Sequence, residues 1–352
     1  MSRPVVALVF GGRSPEHDVS LVSARGIRDR LDHRRWELVL VGVTRDGRPV
    51  TGGEELLGGG MDRGEGTPVR WPSWEGDSRL REEETGRPCS PPIDVVFPII
   101  HGAGGEDGSL QGLLQMARLP YVGAGVLGSA LAMDKDRARR MIASAGVPVI
   151  EDRVFTGPAA RDSGAVRSAV EPLGLPLFVK PARAGSSVGI SLVEDWTELP
   201  RALEAASAVD SKVIVERAVV RAREIEVAVL GGDPPEISVP GEVVPHGAFY
   251  DYRAKYEDPE SKLLIPAPLE PDLTDRIRDA ARRAFTALEL DDLARVDFLL
   301  SRDGSTLVLN EVNTLPGFTP ISMYPKLWEA SGIPYGALLD RLIERALARG
   351  PR

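Results

Sequence analysis

Short apolar runs alternate with amphipathic segments of helical period along the first third of the chain. Residues 5–10 form a continuous apolar run of strand length, residues 36–43 form a second run interrupted only by Glu37 and Gly42, and a helical pattern over about 20–31 lies between them. Apolar runs joined by a helix are typical of parallel strands that are buried on both faces. The pattern therefore predicts an α/β layer fold, with a further strand at 94–100 and a helix at 109–116.

The rest of the chain is predicted from the same periodicities. Residues 44–92 are rich in glycine, proline and charge, which indicates loops with an edge hairpin. The remaining predicted elements are a helix at 134–145, strands and helices alternating over 154–215, a strand at 224–230, and helices at 272–289 and 335–348. The segment 246–266 is polar, contains four aromatic residues and has no clear period, so it could be a lid over a site.

Polar side chains interrupt two neighbouring apolar runs near the C-terminal end. Arg295 and Asp297 lie two residues apart in one run, and Glu311 and Asn313 lie two residues apart in the next. Because side chains alternate along a strand, each pair projects from a single face. Three oxygen-bearing side chains and a guanidinium on one face would suit Mg²⁺ and an anionic substrate. A surface hairpin with one solvated face is the alternative.

The hairpin loop decides whether the two polar pairs meet. The stretch 301–304, Ser-Arg-Asp-Gly, is a hairpin signal and predicts a three-residue loop. Asp297 would then lie opposite Leu309, and Arg295 opposite Glu311. A two-residue loop would turn the second strand over, so the shared face requires a loop of odd length or a β-bulge.

A glycine-rich loop at 182–187 connects two predicted strands, and Lys180 lies at the end of the first strand. Backbone N–H groups of such a loop can fold over phosphates, and the ammonium group could reach an α- or β-phosphate. A flexible surface turn is the alternative. The Gly-Lys-Ser/Thr of a Walker A loop is absent, and Gly11-Gly12 is only half of a dinucleotide fingerprint. Glu16 follows it, either at a site beyond the strand end or as a partner of a helix N-cap.

Composition narrows the class of protein. The chain has 352 residues with 42% hydrophobic and 27% charged content, which is ordinary for a globular protein of two or three domains. A net charge of −9 argues against a general nucleic-acid surface. The single cysteine, Cys89, excludes an internal disulfide and fits a reducing cytosol. No apolar run approaches the ~20 residues of a membrane span. We therefore expect a cytoplasmic protein with no nucleic-acid or membrane partner.

Seven motifs then occur in a fixed order between residues 10 and 317. They are Phe-Gly-Gly-Arg-Ser-Pro-Glu-His-Asp-Val-Ser at 10–20, His-Gly-Ala-Gly-Gly-Glu-Asp-Gly at 101–108, Met-Asp-Lys at 133–135, the Lys-Pro and Gly-Ser-Ser-Val-Gly of 180–189, Tyr-Asp-Tyr-Arg-Ala-Lys-Tyr at 250–256, Arg-Val-Asp at 295–297, and Asn-Glu-Val-Asn-Thr-Leu-Pro-Gly at 310–317. In this order they resemble the D-alanine–D-alanine ligases of the ATP-grasp superfamily.

The resemblance implies a fold and an activity. An N-terminal parallel-sheet α/β domain that binds substrate (1–131) would be followed by a two-part ATP-grasp fold, with a central subdomain (132–220) and a C-terminal subdomain (221–352). The last would carry the lid loop and the metal site. The enzyme would use ATP and two Mg²⁺ (or Mn²⁺) ions to join two D-alanines through a D-alanyl phosphate, for peptidoglycan synthesis. A homodimer is also implied.

Roles for individual residues follow from the resemblance alone. Glu16 would hold the ammonium group of the first D-alanine, Ser186 and Tyr256 would link to it, and His101 would contact the first substrate. Arg295 and the Gly317 backbone would be oxyanion donors, and Ser322 and Met323 would hold the carboxylate of the second substrate. Asp297, Glu311 and Asn313 would bind the metal ions. The nucleotide positions would be Lys135, Lys180, Lys255, Glu216, Val219, Glu224, Phe249 and Asn310.

The second substrate is the open point. In this family, ligases that make D-alanyl-D-lactate look to have a histidine where this chain has Tyr256. The lid of this chain is similar to the dipeptide-forming pattern, so we expect an amine nucleophile. A ligase that uses D-lactate, D-serine or a natural-product precursor is the alternative within the fold. The small residues Ala103 and Gly104 leave selectivity at the first site open. An ATP-binding regulator without ligase activity is the alternative from another class, and the presence of every metal-ligand candidate speaks against it.

Overall fold

The computed structural model describes residues 3–72, 76–185, 188–244 and 262–352. Four predicted site residues lie outside these ranges: Ser186, Phe249, Lys255 and Tyr256. Most of the predicted lid does too, and its last part forms a short strand instead, Lys262–Leu264, which continues a sheet. No described helix combines the length and the apolar character needed to cross a bilayer.

The N-terminal part confirms the predicted β-α-β opening. Its elements are β1 (Val5–Gly11), α1 (His17–Arg30), β2 (Glu37–Val43), β3 (Pro49–Gly52), β4 (Thr67–Arg70), β5 (Arg81–Glu82), β6 (Val95–Pro98) and α2 (Ser109–Met116). The sheet order is β5-β4-β3-β2-β1-β6, and β1 runs parallel to both of its neighbours. The segment 44–92 holds more structure than the predicted edge hairpin, because β3, β4 and β5 extend the sheet as antiparallel strands.

Two consecutive helices connect the first part to the second. These are α3 (Val126–Met133), which the sequence pattern did not predict, and α4 (Lys135–Ser144). The predicted boundary at residue 131 lies within α3. Asp134 separates the helices with an extended backbone, and its side chain accepts a hydrogen bond from the Arg137 N–H as an N-cap. Lys135 therefore occupies the first turn of α4, where its own N–H donates to the Ala182 carbonyl over 3.1 Å.

The middle part is an antiparallel sheet covered by helices. Its elements are β7 (Asp152–Thr156), α5 (Ser163–Val170), β8 (Leu177–Pro181), β9 (Ser191–Val193), α6 (Leu199–Val209) and β10 (Lys212–Arg217), and the sheet order is β7-β10-β8-β9. Because β8 and β9 pair antiparallel, the glycine-rich loop lies at the end of a hairpin, as predicted.

The C-terminal part is a larger antiparallel sheet. Its elements are β11 (Arg223–Leu230), β12 (Glu236–Ile237), β13 (Gly241–Val244), β14 (Lys262–Leu264), α7 (Pro271–Ala287), β15 (Leu293–Leu300), β16 (Leu307–Asn313), α8 (Met323–Ala330) and α9 (Tyr335–Arg349). The order is β14-β13-β11-β15-β16, with β12 beside β11. The sequence pattern did not predict α8.

The β15–β16 hairpin corrects the predicted register. The Ser301 N–H donates to the Thr306 carbonyl, so the loop has four residues, 302–305, and not three. An even loop alone would place Asp297 opposite Asn310, but a β-bulge between Asp297 and Phe298 absorbs one residue. Asp297 therefore faces Glu311, and Arg295 faces Asn313. The predicted pairings of Asp297 with Leu309 and of Arg295 with Glu311 are wrong, whereas the bulge keeps the polar side chains together.

The N-terminal and C-terminal parts share one hydrophobic core. Phe318 packs edge-on against Phe97 of β6 at 5.8 Å and stacks on Tyr335 of α9 at 5.9 Å. The start of β15 is held as well: the wholly buried Asp292 accepts hydrogen bonds from the Gly123 N–H at 2.9 Å and from Arg349 at 2.7 Å. The contact with Gly123 fixes the start of β15, the strand that carries Arg295, against the N-terminal part.

Candidate active site

A cavity of about 60 Å³ lies where the three parts of the chain meet. The predicted site residues that line it are Glu16, His101, Lys135, Arg295, Glu311, Asn313 and Gly317. They come from the turn just before α1, the loop after β6, α4, the β15–β16 hairpin and the loop after β16. The structure therefore brings together residues that are up to about 300 positions apart in the sequence.

Asp297 is the centre of the polar face of the hairpin. Arg295 donates to both of its carboxylate oxygens, at 2.8 and 2.7 Å, and the Asn313 amide donates to one of them at 2.9 Å. Arg295 also lies 2.9 Å from a carboxylate oxygen of Glu226 on β11. Asp297 is 9% exposed, so these neighbours stabilise its negative charge more than solvent does.

The donor chemistry of this face fits a hard divalent cation. Two carboxylates from facing strand positions, Asp297 and Glu311, lie beside the amide of Asn313, and Mg²⁺ prefers such oxygen ligands. The amide now presents its NH₂ group to Asp297. A 180° rotation would present its oxygen, and the two orientations differ little in shape. The three residues therefore offer two carboxylates and an amide whose chemistry suits such a cation.

Lys135 connects α4 to the polar face. Its ammonium group donates to the Ala184 carbonyl at 2.8 Å and lies 3.5 Å from a carboxylate oxygen of Glu311. The amine thus lies between the glycine-rich loop and a metal-ligand candidate. A cation at this place suits a phosphate that approaches from the loop.

Lys180 and Glu216 form a buried ion pair beside Arg139. Lys180 Nζ lies 2.7 Å from one oxygen of Glu216, and Arg139 Nη1 lies 2.7 Å from the other. Burial lowers the pKa of Lys180 to about 8, although Glu216 opposes this shift. Burial also disfavours ionisation of Glu216, but the two cations outweigh it and hold the pKa of its carboxyl below the ordinary value. The pair is charged at neutral pH.

Arg139 makes contacts beyond its ion pair with Glu216. It is 3% exposed, and it also donates to Asp152 at 2.9 Å and to the Asn310 carbonyl at 3.4 Å. Asn310 is the extra residue of the β-bulge. Arg139 therefore joins α4, β7, β10 and β16 at one buried point. The sequence carried a signal for it, because position 139 is one helical turn beyond Lys135 and lies on the same face.

Glu106 is a third carboxylate at the cavity, beside Glu16 and Glu311, and the sequence reasoning did not single it out. It accepts a hydrogen bond from the Gly102 N–H at 3.0 Å. Burial, reinforced by the charge of Glu16, raises the pKa of Glu106 to about 8. Glu16 itself is 8% exposed. Glu106 belongs to the motif at 101–108, so its proximity to His101 was available as a signal.

His101 is buried with both ring nitrogens engaged. Nδ1 lies 3.0 Å from the Leu315 carbonyl, and Nε2 lies 3.0 Å from the hydroxyl of Ser23 on α1. Burial lowers the pKa of His101. The imidazole lines the cavity, while its hydrogen bonds go to the protein. Direct contact with a substrate stays a prediction.

The other predicted residues lie at varying distances from the cavity. The Ser322 hydroxyl accepts from the Thr319 N–H at 3.0 Å, beside Gly317. The Met323 side chain is buried in the core, so this residue could contribute only its backbone N–H at the start of α8. The described site residues that do not line the cavity are Asp297, Lys180, Glu216, Val219, Glu224, Asn310, Ser322 and Met323.

The comparisons with known proteins agree with this arrangement. Residues 5–124 match the family model described as D-ala D-ala ligase N-terminus, and residues 141–344 match D-ala D-ala ligase C-terminus. A D-alanine--D-alanine ligase of Thermoanaerobacter sp. (strain X514) is 47% identical, covering 99% of this chain and 97% of that protein.

Solved structures show the same likeness. The D-alanine-D-alanine ligase from Coxiella burnetii has a TM-score of 0.86 at 34% identity, covering 99% of this chain and 95% of that one. VanG D-Ala:D-Ser ligase from Enterococcus faecalis has a TM-score of 0.86 at 35% identity, covering 98% and 100%. The expected α/β architecture with an ATP-grasp fold is confirmed. With both family models matched and this identity over nearly its whole length, the chain belongs to the D-alanine–D-alanine ligase family.

Proposed function

We propose that the chain is an ATP-dependent ligase that joins two D-alanines to D-alanyl-D-alanine through a D-alanyl phosphate, for peptidoglycan synthesis. One observation carries the proposal. The cavity combines a carboxylate for an ammonium group (Glu16), a lysine for phosphate (Lys135), a guanidinium for developing negative charge (Arg295) and a metal-binding face. This set serves phosphoryl transfer to a carboxylate, where catalysis is mainly positioning and neutralisation of charge.

In the proposed reaction, each residue of the site has a separate role. Glu16 binds the ammonium group of the first D-alanine and turns its carboxylate toward the phosphate-binding lysines, Lys135 and Lys180. Arg295 and the Gly317 N–H donate to the oxygen that becomes negative when the amine of the second D-alanine attacks. Holding two substrates in line can supply roughly 7–11 kcal/mol of the barrier. The acyl phosphate must be kept from water, which a closing lid would do.

Asp297, Glu311 and Asn313 would hold the two Mg²⁺ (or Mn²⁺) ions. Bound there, the ions would offset the charge that triphosphate and carboxylate bring together. In the structure Arg295 neutralises Asp297, so it already supplies part of the positive charge at this face. We expect Glu311→Gln to abolish Mg²⁺-dependent turnover while the midpoint of thermal unfolding stays within a few degrees of wild type. Unchanged turnover would mean that Glu311 is not a ligand.

A D-serine-adding ligase is the second candidate, because the VanG D-Ala:D-Ser ligase matches this chain as well as the Coxiella enzyme does. D-lactate and natural-product precursors stay open as other second substrates. The deciding measurement is phosphate release with ATP, Mg²⁺ and a panel of D-alanine, D-serine and D-lactate. The main proposal expects D-alanine alone to give the fastest turnover. If no D-substrate gave phosphate release, the ligase proposal would be wrong. Faster turnover when D-serine or D-lactate is present with D-alanine would favour the alternative.

A homodimer in the cytoplasm is proposed from the family resemblance. The predicted clasp of Glu16 by Ser186 and Tyr256, and the nucleotide contacts of Phe249 and Lys255, remain proposals of the same kind. Sedimentation equilibrium tests the dimer directly, and a monomer at micromolar concentration would contradict it.

A further inference from the structure

Ser23 lies on α1, and its side chain faces the loop that carries Gly317. It is wholly buried, and its hydroxyl meets two groups of the site. It lies 3.0 Å from His101 Nε2, and it accepts a hydrogen bond from the Phe318 N–H at 3.2 Å. His101 in turn reaches the Leu315 carbonyl with Nδ1 at 3.0 Å. Ser23 is not one of the predicted site residues.

The donor and the acceptor of each of these hydrogen bonds follow from the groups involved. The Leu315 carbonyl can only accept, so Nδ1 of His101 must carry the proton. Nε2 of the neutral ring is then an acceptor, and the Ser23 hydroxyl must donate to it. The remaining lone pairs of Ser23 accept from the Phe318 N–H. With a neutral ring, which burial favours by lowering the pKa of His101, this assignment pairs all three groups, and leaving one of them unpaired in a buried place is costly.

The chain of hydrogen bonds holds the loop at both ends of Pro316-Gly317. It fixes the carbonyl before these two residues and the N–H after them. From the other side, the Tyr335 hydroxyl donates to the Phe318 carbonyl at 2.6 Å. Gly317 itself lines the cavity, and its N–H has no hydrogen-bond acceptor within the described ranges of the chain.

We propose that Ser23 is a positioning residue: through His101 and the Phe318 N–H it fixes the Gly317 N–H where negative charge develops. The inference rests on the proposed function, which makes that N–H an oxyanion donor. Such donors act only when they are held at the right place before the reaction, and a misplacement of about 1 Å can cost about 100-fold in rate. Ser23 touches no substrate in this role.

A matched control exists one turn earlier on the same helix. Ser20 is also wholly buried, and its hydroxyl likewise makes two hydrogen bonds, both to backbone groups: it donates to the Ile99 carbonyl at 2.6 Å and accepts from the Gly11 N–H at 2.8 Å. It makes none to the loop at 315–318. If Ser23 were merely structural, Ser23→Ala and Ser20→Ala would have similar consequences.

The test compares the two alanine variants in D-alanine-dependent ADP formation. We expect Ser23→Ala to lower kcat by about 10- to 100-fold while KM for ATP changes by less than about threefold. Ser20→Ala should keep kcat within about threefold of wild type, with a comparable loss of thermal stability. Equal losses of kcat in the two variants, or an unchanged kcat in Ser23→Ala, would overturn the proposal.

A spectroscopic measurement tests the hydrogen-bond chain without any ligase assay. In ¹⁵N-labelled protein, with the His101 signals assigned by their loss in His101→Gln, we expect protonated Nδ1 and unprotonated Nε2. Ser23→Ala should shift the Nε2 signal, and Ser20→Ala should not. A protonated Nε2 in wild type would overturn the proposal even if the enzyme were an active ligase. A silent wild-type enzyme with the expected signals would instead count against the proposed function.

Should Ser23→Ala fail to fold, Tyr335→Phe tests the same loop from the opposite side. It removes only the hydroxyl that binds the Phe318 carbonyl and retains the ring that stacks on Phe318. We expect kcat to fall by about 3- to 10-fold with an unchanged KM for ATP. A wild-type kcat would show that the position of the loop does not limit the reaction.

Discussion

Gly26 allows α1 to lie directly against the loop that carries Gly317. A methyl group added at this position would overlap the Phe318 carbonyl oxygen and would lie 3.2 Å from the Tyr335 hydroxyl. An ordinary contact between carbon and a carbonyl oxygen is about 3.3 Å, so the loop would have to retreat by about 1 Å. Displacement of a catalytic group by about 1 Å costs about 100-fold in rate, which corresponds to about 2.7 kcal/mol of barrier.

The stability change has two opposing parts. Replacing a glycine inside a helix by alanine stabilises by up to about 1 kcal/mol. Overpacking at a closed contact costs about 1–3 kcal/mol. Since the contact involves backbone and not the flexible end of a side chain, we expect the overlap to win and Gly26→Ala to be less stable than wild type by about 1 kcal/mol.

Gly112 in α2 supplies the matched control. An added methyl group there would meet only Val126 Cγ2 at 3.9 Å, so Gly112→Ala should gain stability and keep its activity. The assays are urea unfolding and the kcat for D-alanine-dependent ADP formation. Gly26→Ala with the stability and the kcat of Gly112→Ala would refute the reasoning, because it would mean that the loop can retreat without consequence.

Three further predictions concern the buried charges. Arg139→Met leaves Glu216 and Asp152 without a cation that they now share, so we expect a loss of about 3 kcal/mol in urea unfolding and partial recovery in Arg139→Lys; equal stability of wild type and the Met variant would contradict this. Lys180 has a pKa of about 8, so ATP affinity measured by calorimetry should fall as pH rises through 8, and this dependence should vanish in Lys180→Met. The pKa of Glu106 is raised from 4.5 to about 8, so its neutral form favours folding, and this contribution is lost as pH rises between those values. Glu106→Gln should therefore gain about 4 kcal/mol relative to wild type between pH 5 and pH 8.5 in urea unfolding, and a constant difference would count against the shift.

The apolar periodicity was sufficient to predict the long strands and helices, but it was not sufficient to predict the short strands. The runs that became β1, β2 and β8 are mostly apolar and of strand length, which is why the pattern predicted them. The strands β3, β4 and β5 have only two to four residues in a segment rich in glycine and charge. Pairing with the sheet edge forms them, and no local period announces it.

The residues that hold the site in place were harder to predict than those that line it. Glu16, Lys135 and Glu311 lie in motifs, so their types and order pointed to the site. Ser23 and Gly26 lie inside a helix, where a small residue is compatible with any close packing. Their importance depends on Phe318, which is nearly 300 residues away in the sequence and contacts α1 only in the folded chain.

The polar face of the β15–β16 hairpin exists because two irregularities offset each other. The loop signal suggested an odd loop, but Asp303 accepts hydrogen bonds from the Ser305 N–H and hydroxyl and closes a loop of four residues. The face is restored by the bulge at Asn310, and contacts outside the hairpin hold that bulge. The Leu309 N–H donates to the Pro148 carbonyl at 2.8 Å, and Arg139 donates to the Asn310 carbonyl.

These outside contacts explain why the register could not come from the hairpin sequence alone. They also connect two functions. Arg139 binds both the bulge that turns Glu311 toward Asp297 and the carboxylate that pairs with Lys180. A shift of α4 would therefore disturb Lys180, the proposed phosphate contact, and the proposed metal-binding face together. Lys135 is on the same helix, so the position of α4 sets three of the groups that the proposed phosphoryl transfer requires.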